Sequence, residues 1–555
     1  MSSESFSAPA ARNQTEVFAV HGADPEILAF AMAKYSRSSL SMRESLTEIS
    51  SQRASQFLST FYFQYGHRSI ADLAHIAFAV ERLSLLAAIA LVDETRWDGQ
   101  ERSTRYQNFL QSGWFFPDFG KDSTSAQLYS ATIENLFAAY QRVSAAVHDL
   151  LRSRVPRPEA LQPEAYERTL KARAFDVARY LLPLATNTSL GQIVSARTLE
   201  TQVSRLLSHP AAEVRLLGQK LREAATGPAW NLNAQAAQAF VEKLAALKDD
   251  SASELATEAA ALFTREVSAA PTLVKYAQPN DYLIQSQAEL AQAAAELLAP
   301  LSSKTPPHAV DLVERTESLE VELAATLLYS ASHHPYRQIR DLLTDFPAAQ
   351  ISEIIDLGLR YRGKHDEALR AFHAGAALRF DILMDIGGFR DMHRHRRCTQ
   401  IIQGFTTLHG YEFPGAADLH AESDREIDIL AEAGVLADYR SAIESAHRAC
   451  VEIAANAGAP HRSSGAADRS GERAGKHEPQ SALYLLPLAT RIRSLFKMDF
   501  AEAQYISELR SAPAGHFSYR RVAWEMFLAL ERQHPALARH IRVTDFTQPI
   551  DLFQR

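Results

Sequence analysis

The sequence predicts a helix-dominated α+β protein made of two tandem copies of one domain. Three observations carry this reading. The string Tyr-Leu-Leu-Pro-Leu-Ala-Thr runs from Tyr180 to Thr186 and returns from Tyr484 to Thr490. A repeat with so long a period signals a duplicated domain, not a solenoid, whose units are much shorter. Apolar residues recur at three- and four-residue spacing over 24–35, 42–63, 125–151 and 234–247, the period of a helix with one buried face. Alanine crowds the stretch 231–298, which favours helix over strand.

Along the chain, 1–14 is rich in Ser and Ala without an apolar core, so it reads as a disordered tail and not a secretory signal. A first domain is expected over 15–230. The apolar run 83–92 lies between Glu81-Arg82 and Asp93-Glu94; it is too short to span a bilayer and reads as a buried helix. Strands are expected near 71–80, 106–116 and 371–386. The Ala-rich residues 231–310 read as a helical connector, either a packing arm or a binding element. The second domain is expected over 311–555, with a mobile insertion at 458–480, where Gly, Ser, Arg, Asp and Glu leave almost no large apolar side chain.

At 555 residues the chain can bury two cores, and 46% hydrophobic against 22% charged residues is ordinary for a soluble protein. A net charge of −8 disfavours a nucleic-acid coat or a binder of anionic membranes. With only Cys398 and Cys450 there is neither a disulfide framework nor a cysteine zinc cluster. A cytoplasmic location is the expectation.

Two clusters carry chemistry. In Gln100-Glu101-Arg102-Ser103-Thr104-Arg105-Tyr106, an extended backbone would turn Glu101, Ser103 and Arg105 to one side. Arginine and a hydroxyl together suit a phosphate, and the same residues suit a surface ion-pair strand. In His393-Arg394-His395-Arg396-Arg397, five adjacent basic groups call for an anion such as a pyrophosphate, or for full solvation in a turn. No metal site is expected, because no ligands stand at the right spacing. Cys398 is either a thiol activated by its basic neighbours or a structural residue.

These motifs resemble the flavin-dependent thymidylate synthases, whose signature has the form Arg-His-Arg-x-x-Ser-x-Asn-Glu-x-Ser-x-Arg-Tyr. The signature is divided here. The first copy has Glu101-Arg102-Ser103-Thr104-Arg105-Tyr106 but Asp93-Glu94-Thr95 in place of Arg-His-Arg. The second has Arg394-His395-Arg396 and Thr399, and then Ile402 to Thr407 replaces the rest. Gly66-His67-Arg68-Ser69-Ile70-Ala71-Asp72 resembles the family's upstream Gly-His-x-Ser/Thr segment, with a looser version at Gly363-Lys364-His365-Asp366-Glu367. Val177-Ala178-Arg179 before Leu181-Leu182-Pro183 resembles its Val-Ala-Arg-x-x-Leu-Pro.

The losses are complementary. Aligned on Pro183 and Pro487, Arg179 and Arg197 face Leu483 and Ala501, whereas Arg510 faces Leu206. The resemblance implies sites composed from both copies, one per chain. A homodimer would then mimic a tetramer of single domains.

It further implies FAD as cofactor, with NADPH and methylenetetrahydrofolate as cosubstrates, and transfer of a one-carbon unit to C5 of dUMP to give dTMP without a protein nucleophile. In this reading Arg394, Arg510 and His67 act in catalysis. Glu101, Ser103, Arg105, Arg179, Arg394 and Arg510 bind the nucleotide. His67, Ser69, Arg197, Arg394, His395 and Arg396 bind the flavin. Asp391 replaces the family's usual glutamine, and Ser195 and Thr201, or Asp499 and Tyr505, replace its flavin asparagines. Two further functions stay open: a flavin-dependent C5-methylase of another uridine nucleotide, and a non-catalytic flavin- or nucleotide-binding protein.

Overall fold

The computed structural model describes residues 24–34, 68–247, 250–274, 277–301, 308–313, 319–361, 369–372, 378–414, 429–457, 477–538, 541–548 and 553. The expected helix 42–63, His67, Gly363 to Glu367, the tail 1–14 and nearly all of the insertion lie outside these residues. The chain divides into two compact units. One comprises 1–76, 195–197 and 223–276; the other comprises 77–194, 198–222 and 277–555.

Helices dominate, and the strands form two small antiparallel sheets. Strands β1 (His75–Ser84), β2 (Asp98–Glu101) and β3 (Asn187–Ser195) form the first, in the order β1-β3-β2. Strands β4 (Val310–Leu312), β5 (Leu378–Asp385), β6 (Thr399–Ile402) and β7 (Arg491–Met498) form the second, in the order β4-β5-β7-β6. Apart from β4, the order is the same in both. The registers match too: Glu101 sits opposite Leu190 and Ile402 opposite Ser494, each partner seven residues beyond the proline of the repeated string.

The two copies of that string pair with each other. Pro183 bridges Pro487 antiparallel. Leu184 N donates to Leu486 O and Leu488 N to Leu182 O, both at 2.9 Å; Ala185 N donates to Tyr484 O at 2.9 Å and Ala489 N to Tyr180 O at 3.0 Å. Proline offers no N–H, so the bonds fall on its neighbours on either side. The repeat recurs because both copies build one local two-fold junction.

The helix read from the run 83–92 is Leu85–Val92, with six of its eight residues buried. Its N-cap Ser84 accepts from Ala87 N at 2.9 Å. The corresponding helix Ile386–Met392 is capped by Asp385, which accepts from Gly388 N at 2.7 Å. Each cap satisfies an N–H that has no partner within the helix. Ser84 Oγ donates to Glu213, while Asp385 accepts from Ser518 Oγ. Hydroxyl and carboxylate have exchanged places between the halves.

The other long elements follow the apolar spacing: Pro25–Lys34, Ser123–Arg154 and Ala234–Ala245 are helical, and so are Asp250–Phe263 and Asp281–Leu297 in the Ala-rich stretch. In the second half the Leu319–Ser330 and Tyr336–Thr344 helices pack Leu327, Leu328, Tyr329, Ile339 and Leu343 against Ile401 and Leu495 of the sheet.

The strand expectations need correction. Residues Arg68–Leu73 form a 3₁₀ turn, and β1 starts only at His75. Within 106–116 a single bridge, Trp114 to Thr186, replaces the expected strand. Arg102 holds this loop through Gln107, Asn108 O and Ser112, and Gly113 turns it with φ +68°. Near 371–386, Arg370–Phe372 is again 3₁₀, β5 covers Leu378–Asp385, and Ile386 already opens a helix. β3 and β7 carry no strand expectation at all. No helix among the described residues is long and apolar enough to cross a membrane.

Candidate active site

The stretch 100–106 is not extended as expected. β2 ends at Glu101, and Ser103 Oγ accepts from Arg105 N at 3.2 Å, which turns the chain. Arg105 is thereby drawn inward, where Asp176 grips its guanidinium at 2.7 and 3.0 Å. Asp176 is on the Pro163–Ala178 helix, one turn before Arg179. Glu101 pairs with Arg390.

Arg105 also reaches the second half, donating to Tyr519 Oη at 3.2 Å and Ala514 O at 3.3 Å. Arg179, 2% exposed, meets Asp391 at 3.4 Å, and Asp391 also pairs with Arg394 at 3.4 Å. Burial raises the Asp391 pKa, but Arg179, Arg394 and Arg105 outweigh it and hold the carboxyl below its usual range. His516 lies beneath, fully buried: Nε2 donates to Asp176 O at 2.9 Å and Nδ1 accepts from Ser518 N at 3.2 Å. Burial, then Arg179 and Arg105, keep this imidazole neutral.

Arg510 stands over the Tyr519 ring at 5.4 Å, and its Nε donates to His395 Nε2 at 2.7 Å. His395 Nδ1 faces Glu502 at 3.5 Å. Burial and the cations Arg510, Arg394 and Arg396 hold His395 down to about 3, so it acts as a neutral acceptor. Arg394 is half exposed. Arg396 lies 4.6 Å from the Trp97 ring centroid with a buried Nε that lacks a partner.

The structure therefore brings Glu101, Ser103, Arg105 and Arg179 from the first half together with Arg394, His395, Arg396 and Arg510 from the second. Ser69 and Arg197 belong to the other compact unit, where Arg197 pairs with Asp72 at 3.0 Å. Where the first half lacks Arg-His-Arg, its acids form ion pairs: Asp93 with Arg370, and Glu94 with Arg205 at 2.7 Å. Cys398 is structural. It is buried, its Sγ donates to His395 O at 3.0 Å, and burial pushes the thiol up to about 12. Asp176, Arg390, Glu502, His516 and Tyr519 were not singled out from the sequence. Only Asp176 carried a local signal there, its position one helical turn before Arg179.

The model of the thymidylate synthase complementing protein family matches twice, over residues 18–227 and 311–536. The chain belongs to this family. Thymidylate synthase complementing proteins are thus represented here by two segments in one polypeptide.

Relatives match over nearly all of this chain. A UPF0159 protein of Chlamydia pneumoniae is 26% identical over 97% of this chain and 93% of its own, and one of Chlamydia muridarum is 25% identical over 94% and 91%. A UPF0159 protein of Thermoplasma acidophilum is 22% identical over 93% and 94%. Among solved structures, the flavin-dependent thymidylate synthase of Helicobacter pylori, complexed with FAD and dUMP, is 18% identical. That match covers 36% of this chain and 89% of the other, with a TM-score of 0.24.

Proposed function

We propose that the chain is an FAD-dependent thymidylate synthase-like enzyme, methylating C5 of dUMP to dTMP at a site composed from both family segments. One observation carries this reading: Arg105 and Arg179 of the first segment converge with Asp391, Arg394, Tyr519 and Arg510 of the second. Neither segment alone holds such a set.

A bound nucleotide phosphate would take its charge-assisted hydrogen bonds from Arg510 and Arg105, planar donors already oriented by His395, Tyr519 and Asp176. Flavin phosphates suit Arg394 and Arg396, one half exposed and the other with a buried Nε still lacking an acceptor. The flavin supplies the hydride chemistry, with NADPH as reductant and methylenetetrahydrofolate as carbon donor; the protein's part is orientation and charge. The flavin reading of the sequence also names His67, Ser69 and Arg197. In this reading the enzyme is a cytoplasmic homodimer with one productive site per chain.

Purified protein should be yellow and bleach with NADPH, and Arg396→Ala should be colourless yet folded. Calorimetry should give close to one dUMP per chain whose binding depends on Arg105 and Arg510. Losing one charge-assisted contact costs about 1.5–3 kcal/mol, so Arg105→Ala should bind dUMP roughly ten- to hundredfold more weakly. Unchanged dUMP affinity in both Arg105→Ala and Arg510→Ala would place the nucleotide elsewhere.

Asp391 supports a second reading, methylation of another uridine nucleotide. A buried carboxylate held ionised only accepts hydrogen bonds, so it repels ring carbonyls and favours ring N–H groups. Titrating candidate nucleotides against the holoprotein separates the two.

A further inference from the structure

The second segment has lost the Glu-x-Ser-x-Arg half of the signature, yet the vacated position is not apolar. By the strand registers, Gln403 and Gly404 occupy the places of Arg102 and Ser103. Around them gather His333 and His334, from the loop between the Leu319–Ser330 and Tyr336–Thr344 helices, and His409, from the turn after β6. The His333 and His409 rings lie 5.9 Å apart, and Gln403 Nε2 donates to His334 O at 3.1 Å. Arg493 of β7 is adjacent, through Gln403 N donating to its carbonyl at 3.1 Å.

This cluster concentrates unsatisfied polar atoms. His333 Nδ1, His334 Nδ1, His409 Nε2, Gln403 Oε1, Arg493 Nε and Ser332 Oγ are all buried without a hydrogen-bond partner, and Gln403 and Arg493 are each only 2% exposed. Buried polar atoms are normally paired, so a cluster of orphans calls for a ligand or bound water. The set is rich in donors: each neutral imidazole can turn one N–H inward, and Arg493 Nε and Ser332 Oγ add two more. Gln403 Oε1 is fixed as the acceptor by the bond from Nε2. Among the described residues no three His, Cys, Asp or Glu are placed to hold a metal.

We propose that His333, His334, His409, Gln403 and Arg493 form a second binding site, for a singly protonated oxyanion of the phosphate-monoester class. Many donors and one acceptor match a tetrahedral anion that keeps one proton. The surrounding charges are already balanced, Arg493 by Asp381 at 3.2 Å and Arg491 by Glu412 at 3.0 Å. Burial and Arg493 keep His334 and His409 neutral, His409 down to about 4, so an arriving anion supplies the missing counter-charge and draws protons onto the rings. Gly404 and Leu408, next to Gln403 and His409 in the chain, are exposed. It does not depend on the proposed thymidylate chemistry.

The test uses the full chain carrying Arg510→Ala, which weakens the composite site. Inorganic phosphate is titrated at pH 6 by calorimetry in two buffers of different ionisation enthalpy. The expected result is binding with proton uptake, weakened tenfold or more by adding His409→Leu. If that variant no longer melts cooperatively, His333→Gln decides in its place. Absence of binding in the Arg510→Ala protein, or binding indifferent to the decisive histidine substitution, overturns the site. Uridine monophosphate in the same background separates the sources: tighter binding than inorganic phosphate assigns a nucleotide, equal binding a free phosphate, and either outcome supports the site.

Discussion

Arg179 and Asp391, one from each family segment, form a buried ion pair at 3.4 Å. Arg179 caps the C-terminus of the Pro163–Ala178 helix, and Asp391 lies in the Ile386–Met392 helix. Removing one member of a buried pair strands the other charge, at a cost of about 3–5 kcal/mol, whereas replacing both costs far less. Asp391→Leu should therefore lower the melting temperature markedly, and Arg179→Met with Asp391→Leu should recover much of it. A double-mutant cycle without coupling would show that the pair is not formed.

Tyr519 has two separable roles. Its hydroxyl accepts from Arg105, and its ring lies under Arg510. Tyr519→Phe keeps the ring and gives up one hydrogen bond, worth about 1 kcal/mol. A less than tenfold loss of dUMP affinity is expected. Tyr519→Leu gives up the cation–π contact as well and should lose tenfold or more. Equal effects of the two substitutions would assign the whole role to the hydroxyl.

Asp93 occupies a position where the family has arginine. Arg370 and His393 face it, and Arg370, His393 and Arg205 together lower its pKa against burial. Asp93→Arg restores the family residue but sets a cation against these groups. The expected outcome is a destabilised protein that binds no more dUMP in calorimetry than the unsubstituted chain. One more stoichiometric dUMP in a stable variant than in the unsubstituted chain would contradict this.

Acid sensitivity should come from neutral buried imidazoles before carboxylates. His395 and His516 have folded pKa values below the ordinary value of about 6.5. Between the folded and unfolded values the unfolded chain binds more protons, so stability is full above about pH 6.5 and falls as pH drops below it. Each such group loses up to about 1.4 kcal/mol per pH unit. Asp391 and Asp93, with lowered values, contribute only below about pH 4. Melting curves at pH 7.5, 6 and 5 should fall progressively, and His395→Gln should flatten part of that slope.

The helices were legible because each buries one face, which writes a three- and four-residue period into the chain. The strands were less so. β7 contains Arg491, Arg493 and Lys497, and β5 contains Arg379, Asp381 and Asp385. Such charges argue against a buried strand until their partners are known: Arg493 meets Asp381, and Lys497 meets Glu322 at 3.3 Å. Ion pairs between segments far apart in the chain leave no local pattern.

The site divides the same way. The sequence by itself determined the family, the repeated proline string and the complementary retention of arginines, because identity and spacing along the chain carry that information. Only the tertiary structure decided that Arg105 turns in to Asp176 instead of lying along a strand, and that His395 faces Arg510. It alone placed Tyr519 and His516 beneath both. These depend on distances between residues hundreds of positions apart, set by the packing of the two segments about Pro183 and Pro487. Side chains buried there take the partners that satisfy their charges, and a one-dimensional pattern does not record which those are.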